Sequence, residues 1–176
     1  MIITGGLYKG RKIISPDDNI TRPTLSKVRQ GVFNTLFSML GEFEDKTFLD
    51  LFGGSGIMGL EALSRGFKEV LVCEKNPKVV QIIKKNYSQL KLNPNLKIGD
   101  SLKLISKINQ NFDVIYIDPP YFSGVYENIF NELSKFDLTE TIIVAEHAEP
   151  LSISTFNLIK SKNYGGKLVS FYEKQD

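Results

Sequence analysis

Four consecutive apolar residues, Val114-Ile115-Tyr116-Ile117, run straight into Asp118-Pro119-Pro120-Tyr121, and this junction limits the possible folds more than any other stretch. A short β-rich apolar run bounded by polar residues predicts a strand buried on both faces, as in the middle of a parallel sheet. Two prolines end it, because neither has an N–H for the ladder, and Asp118 before them is pushed toward an extended conformation. A stiff loop at the carboxyl end of a buried strand is the expected result. In open α/β sheets, ligands sit at that end.

The rest of the chain agrees with such a sheet. From Lys46 onward, strands are predicted at 47–51, 69–74, 96–98, 114–117 and 141–146. Between them, helices are predicted at 57–65, from Pro77 behind an Asn76 cap, after Asp100, and near 124–135. Residues 156–162 and 167–172 predict a hairpin about Tyr164-Gly165-Gly166. The order implies an α/β fold in one domain: a mostly parallel seven-stranded sheet covered on both faces, with a C-terminal antiparallel hairpin. Residues 1–45 form an N-terminal extension to a core of residues 46–176. In it, residues 1–21 predict a small β-hairpin, and Thr24 caps a helix running to Leu40. Gly31 costs that helix roughly 1 kcal/mol relative to alanine and predicts a less rigid element.

With 22 basic and 20 acidic residues the net charge is only +2, so its distribution is more telling than its total. The first forty residues hold Lys9, Arg11, Lys12, Arg22, Lys27 and Arg29 against Asp17 and Asp18. Cations near the start of a helix oppose its dipole and suit an anionic partner. Cys73, the one cysteine, has no disulfide partner in the chain and falls in an apolar strand pattern, as a buried small hydrophobe does. With a single histidine besides, a zinc site of the Cys/His type is excluded, and no metal is expected. No apolar run approaches the roughly eighteen residues that span a bilayer and no signal peptide is evident, so a cytoplasmic protein is expected, with no membrane partner.

Between the first strand and its helix lies Asp50-Leu51-Phe52-Gly53-Gly54-Ser55-Gly56. Gly54, Gly56 and Gly59 match GxGxxG, and Glu74 stands twenty residues after Gly54, as in a dinucleotide site. Three features favour S-adenosylmethionine instead. Asp50, at the strand end, would repel a pyrophosphate but suits a cationic sulfonium carrying an amino group. Asp100 suits an adenine amine. The Asp118 loop offers the carboxylate and the carbonyls of Asp118 and Pro119 to an NH₂ group on a planar base, on which Tyr121 would stack. The plain structural alternative is a Pro-Pro turn with a capping aspartate.

In ITGGLYKGRKI, TRPTLSKVRQGVFNTLF, FLDLFGGSGIMGLEALSRG, DVIYIDPPY and IIVAEH, the chain resembles the bacterial 16S ribosomal RNA guanine-N2 methyltransferases over nearly its whole length. The glycine loop and DPPY are shared by many amino methyltransferases; the N-terminal stretches are specific to this family. The resemblance implies a class I methyltransferase fold, Rossmann-like, with S-adenosylmethionine as donor and S-adenosylhomocysteine as product. The acceptor it implies is the N2 amine of a guanine in 16S rRNA, in an assembled or assembling small ribosomal subunit. The implied cofactor residues are Asp50, Phe52, Gly53, Gly54, Ser55, Gly56, Glu74, Asp100 and Ser101, with Glu74 on the ribose and Asp100 on the adenine. Asp118, Pro119, Pro120 and Tyr121 form the catalytic loop, and Lys9, Arg11, Lys12, Arg22, Lys27 and Arg29 contact RNA. Gly53 stands where the family commonly has alanine, and Gly31 where a better helix former is common. A DNA amino methyltransferase and a non-catalytic RNA-binding assembly factor are the alternatives; a monomer is the default.

Overall fold

In a computed structural model of the chain, which describes residues 1–17, 24–120 and 124–175, the buried run at 114–117 is the fourth strand of a seven-stranded sheet. The strands are β1 (Thr47–Asp50), β2 (Glu69–Glu74), β3 (Asn95–Ile98), β4 (Val114–Ile117), β5 (Ile142–His147), β6 (Phe156–Asn163) and β7 (Leu168–Lys174). Their order is β3-β2-β1-β4-β5-β7-β6, with β1 to β5 parallel and β7 antiparallel to both its neighbours. Helices α2 (Ile57–Ser64), α3 (Pro77–Gln89), α4 (Ser101–Ile105) and α5 (Val125–Leu133) follow β1 to β4, and α1 (Ser26–Leu40) precedes them all.

Alternate strand residues feed two cores, because successive side chains of a strand point to opposite faces. Phe48, Val114 and Tyr116 join Val32, Phe33, Leu60 and Ile83 on the face covered by α1, α2 and α3. Leu49, Ile115 and Ile117 join Ile105, Phe130 and Leu133 on the face covered by α4 and α5. Register at the centre is latched by Asp113, whose Oδ2 accepts from the Thr47 N–H at 2.8 Å and the Thr47 hydroxyl at 2.9 Å. No helix among the described residues is long and apolar enough to cross a membrane.

The N-terminal segment departs from expectation. Instead of a two-stranded hairpin, residues 1–13 make one isolated antiparallel bridge, Ile2 with Lys12. Gly6 serves docking as well as the turn: the Leu7 N–H donates to the Ser64 carbonyl at 2.7 Å, and a Cβ on Gly6, at φ 76°, would stand 1.8 Å from that same oxygen. Thr24 does not cap α1; Leu25 occupies that position without a side-chain cap.

Arg29 is the main correction. Its side chain is 1% exposed, so it cannot neutralise a phosphate on a partner. It turns inward because Glu61 on α2, fully buried, needs a cation: Arg29 Nε lies 3.3 Å from Glu61 Oε1, and Arg65 Nε 3.1 Å from Oε2. The Thr4 N–H donates to the same carboxylate at 2.7 Å, and the Arg29 guanidinium also donates to the carbonyls of Thr24 and Ile2. Gly31 likewise has a packing reason. A Cβ there would stand 2.0 Å from the Tyr164 hydroxyl, so the absence of a side chain seats the β6–β7 turn against α1. Lys162 Nζ adds a bond to Thr35 Oγ1 at 2.9 Å, and the helix is clamped rather than loose.

Removing one partner of a buried ion pair leaves a charge uncompensated and costs about 3–5 kcal/mol. Arg29→Ala is therefore expected to lower the urea unfolding free energy by about that much, while Lys27→Ala, on the exposed side of the same helix, changes it by less than about 0.5 kcal/mol. Equal small effects would contradict the assignment of Arg29 to the core.

Candidate active site

Sheet order reverses between β1 and β4, which opens a crevice at the carboxyl ends of the strands. A cleft of about 450 Å³ lies there, and Asp50, Glu74, Asp100, Ser101, Asp118 and Pro119 all line it. Phe52, Gly53, Gly54, Ser55 and Pro120 complete the predicted residues on its wall. Gly56 stands behind them as the left-handed N-cap of α2, at φ 79°. Met1, Pro16 and Thr24 also reach the cleft, so the N-terminal segment forms part of its rim. Tyr121 and Arg22 lie outside the described residues. Lys9, Arg11, Lys12 and Lys27 are exposed and line no part of the cleft.

The glycine loop is held by its own backbone and by the next strand. Gly53 N–H donates to the Cys73 carbonyl at 2.8 Å, and Gly54 N–H to Glu74 Oε2 at 3.0 Å. Glu74 Oε1 accepts from the N–H groups of Lys75 and Asn76 at 2.9 and 2.8 Å. Glu74 thus shapes the loop as well as lining the cleft, with acceptor capacity left over, since a carboxylate has about four lone-pair sites. A Cβ at Gly53 would stand 2.4 Å from Val72 Cγ1, so the close packing of the loop on β2 calls for glycine there. Sequence reasoning missed Asn86. Fully buried on α3, its amide donates to the carbonyls of Ser55 and Ile14 at 2.8 and 2.9 Å, tying the loop to the N-terminal segment. Asp100 caps α4 by accepting from Lys103 N–H at 3.3 Å, and the buried Ser101 hydroxyl donates to the Leu51 carbonyl.

Asp50 is 1% exposed, and Oδ1 accepts only a 3.2 Å bond from the Phe52 N–H. Oδ2 is buried and has no hydrogen-bond partner among the described residues. Burial lifts its carboxyl to a pKa of about 7, with the Phe52 N–H opposing and the charge of Glu74 reinforcing the shift. An orphaned buried carboxylate oxygen on a cleft wall is a receptor for a cationic or N–H-bearing ligand.

Across the switch point, Asp118 sits in a network that the sequence reading did not identify. Lys167 Nζ lies 2.9 Å from Glu146 Oε1 and 3.7 Å from Asp118 Oδ1, and the Tyr116 hydroxyl donates to Glu146 Oε2. Burial, then the nearby Glu146 charge, raises the Asp118 pKa well above the usual carboxylate range, and Lys167 counters them. One signal was available: a tyrosine in an otherwise aliphatic buried strand needs a partner for its hydroxyl. Lys167 had none, because the antiparallel placement of β7 beside β5 brings it to the cleft.

The sequence profile of a family described as conserved hypothetical protein 95 matches residues 1–173. YlbH of Bacillus subtilis (strain 168) is 30% identical over 187 aligned positions, covering 99% of this chain and 100% of its own. The ribosomal RNA small subunit methyltransferase D of Haemophilus influenzae is 32% identical over 173 positions, covering 93% of this chain and 88% of its own. The structure of a hypothetical protein of Thermus thermophilus, TTHA0928, matches with a TM-score of 0.84 at 26% identity, over 98% of this chain and 99% of that one.

Two outcomes follow from the charges. An aspartate with a raised folded pKa contributes stability that is complete below its unfolded value near 4 and lost as pH rises through about 7. Asp50→Asn is expected to flatten the fall in stability across that window by up to about 1.4 kcal/mol per pH unit, read by chemical denaturation at a series of pH values. Because Lys167 lowers the Asp118 pKa, Lys167→Met is expected to raise it further, seen as a later titration of the Asp118 carboxyl carbon by NMR.

Proposed function

The chain belongs to the conserved hypothetical protein 95 family together with the ribosomal RNA small subunit methyltransferases D, and from that premise we propose that it methylates the exocyclic N2 amine of one guanine in 16S rRNA, with S-adenosylmethionine as donor. It is an rRNA methyltransferase with the class I α/β fold. The observation that carries the finer reading is the meeting, in one cleft, of the orphaned Asp50 carboxylate and the Asp118-Pro119 acceptor loop. A donor with a cationic amino acid end suits the first, and an amine on a planar base suits the second.

The residues fit that donor. Asp50 Oδ2 would take an N–H of its ammonium, the Gly53 to Ser55 backbone would lie along its amino acid portion, Glu74 would accept from ribose hydroxyls, and Asp100 from the adenine amine. The bound donor supplies an electrophilic methyl on a sulfonium. The protein supplies orientation. The amine lone pair of guanine is delocalised into its ring, and Asp118 with the Pro119 carbonyl would accept its two N–H bonds and turn the lone pair toward the methyl. A carboxylate whose pKa is raised, as that of Asp118 is, is suited to take the amine proton afterwards. Lys167, 3.7 Å from Asp118 Oδ1, opposes that rise and so favours the ionised form of the carboxyl. RNA would reach the cleft past exposed Lys9, Arg11, Lys12 and Lys27 of residues 1–45, in a small subunit or its precursor.

The test is transfer of labelled methyl from S-adenosylmethionine to small subunits from cells lacking this protein, beside free 16S rRNA and DNA, with mapping of the modified nucleotide. Label at guanine N2 in rRNA is expected; label only in DNA, or on another atom, would overturn the assignment. Asp118→Ala is expected to lower the rate at least about a hundredfold, the usual weight of a lost acid–base or orienting group, with donor affinity unchanged by calorimetry. Donor affinity itself is expected to weaken up to about tenfold per pH unit below pH 7, where Asp50 holds a proton.

A further inference from the structure

The largest excess of positive charge is not in the N-terminal segment. Residues 75–110 hold eight lysines and one acidic residue, Asp100, whereas the other 140 residues hold 14 basic and 19 acidic side chains. A segment of net charge +7 therefore belongs to a chain of net charge +2. The fold gathers that segment at one place. It comprises α3, the edge strand β3 and α4, and the two helices cover opposite faces of the sheet, so the lysines wrap around its β3 edge.

On α3, Val79, Val80, Ile83 and Tyr87 face the core, and Lys78, Lys84 and Lys85 are exposed. No acid occurs anywhere on this helix. Solvent-facing lysines on a helix are commonly balanced by glutamates three or four residues away, and adjoining like charges cost stability. Beyond the helix, Lys91 has a φ of 58°, and it is the only non-glycine with positive φ among the described residues. Glycine is the easy residue in that conformation, so a lysine there carries a local cost. Lys97 follows on β3, and Lys103 and Lys107 are exposed on and just after α4. Among the described residues, none of these lysines has an ion-pair partner, while Lys46, Lys135 and Lys167 each do. The surface joins the cleft through Lys75, which follows Glu74 and lines it.

We propose that this β3-edge surface is a second track for the RNA backbone, carrying substrate RNA away from the cleft along α3 and around the sheet edge. It rests on the rRNA-methyltransferase reading for the identity of the polyanion, but its evidence is separate from that of the cleft. A phosphate backbone is the partner that fits, because the surface offers many unpaired point charges and no aromatic ring for base stacking. Binding there is blind to sequence and adds affinity and register, leaving selection of the base to the Asp118 loop.

The test measures equilibrium binding of the full chain to 16S rRNA as a function of salt, for the wild type and for Lys78→Gln/Lys84→Gln/Lys85→Gln. Each lost phosphate contact lowers the slope of log K against log salt by about 0.7 to 0.9. The triple variant is expected to lose about two units of slope and on the order of tenfold in affinity near physiological salt. Its thermal unfolding temperature does not fall below the wild-type value, and its affinity for S-adenosylmethionine is unchanged. An unchanged slope and affinity would overturn the proposal, as would a loss of equal size for duplex DNA and rRNA whose reversal by Lys→Arg replacements failed. Binding is read without turnover, so failure to methylate any acceptor would count against the function proposed above and leave this surface standing.

Discussion

A single fully buried carboxylate, Glu61, joins three parts of the chain that sequence distance keeps apart. It takes the Arg29 guanidinium from α1, the Arg65 guanidinium from its own helix and the Thr4 N–H from the N-terminal segment. The first turns of the fold converge on it: Arg29 also binds the Ile2 carbonyl, and Ser64, three residues on, binds the Gly5 carbonyl at 2.6 Å. Desolvating such charges is costly, so the cluster is weak evidence for stability. Its value here is geometric. It sets the N-terminal segment against α2, and through Asn86 that segment reaches the glycine loop.

Burial raises the pKa of both Asp50 and Asp118, but the two carboxyls meet unlike neighbours. Asp50 is shielded from water with one oxygen unmet, so its charge waits on a ligand. Asp118 is one-fifth exposed and shares Lys167 with Glu146, so the rise caused by burial and Glu146 is opposed by a cation already present. Separating two aspartates in this way at the ends of adjacent strands lets one respond to the donor and the other to the acceptor. The adjacency is a product of topology: β1 and β4 are neighbours only because the sheet order turns back there.

Much of this was legible in the sequence. β2 and β4 were predicted residue for residue, because an apolar run closed by a glutamate or a proline leaves little freedom in its bounds. Asp50, Glu74 and Asp118 were placed on the cleft because strand ends are marked by where apolar spacing stops. The failures share a cause. Arg29, Gly31 and Lys167 owe their roles to partners on α2, the β6–β7 turn and β5, and a linear pattern cannot tell a cation that faces water from one that faces a buried acid. Gly6 and Gly10 do shape the turn between Ile2 and Lys12, both at positive φ, but Gly6 also lets backbone approach Ser64, which the sequence does not show.

The position of β1 also sets an order on how the molecule is made. β1 can pair with β2 as soon as residue 74 has emerged, whereas its other edge is filled only by β4. Until then a nascent chain carries a half-built sheet with an open, apolar central edge, the kind of surface that invites wrong partners during synthesis. Asp113, one residue ahead of β4, binds the start of β1 through the backbone N–H and hydroxyl of Thr47. The seam between β1 and β4 lies under the cleft, so the pairing that covers this open edge also brings Asp50 beside the Asp118 loop.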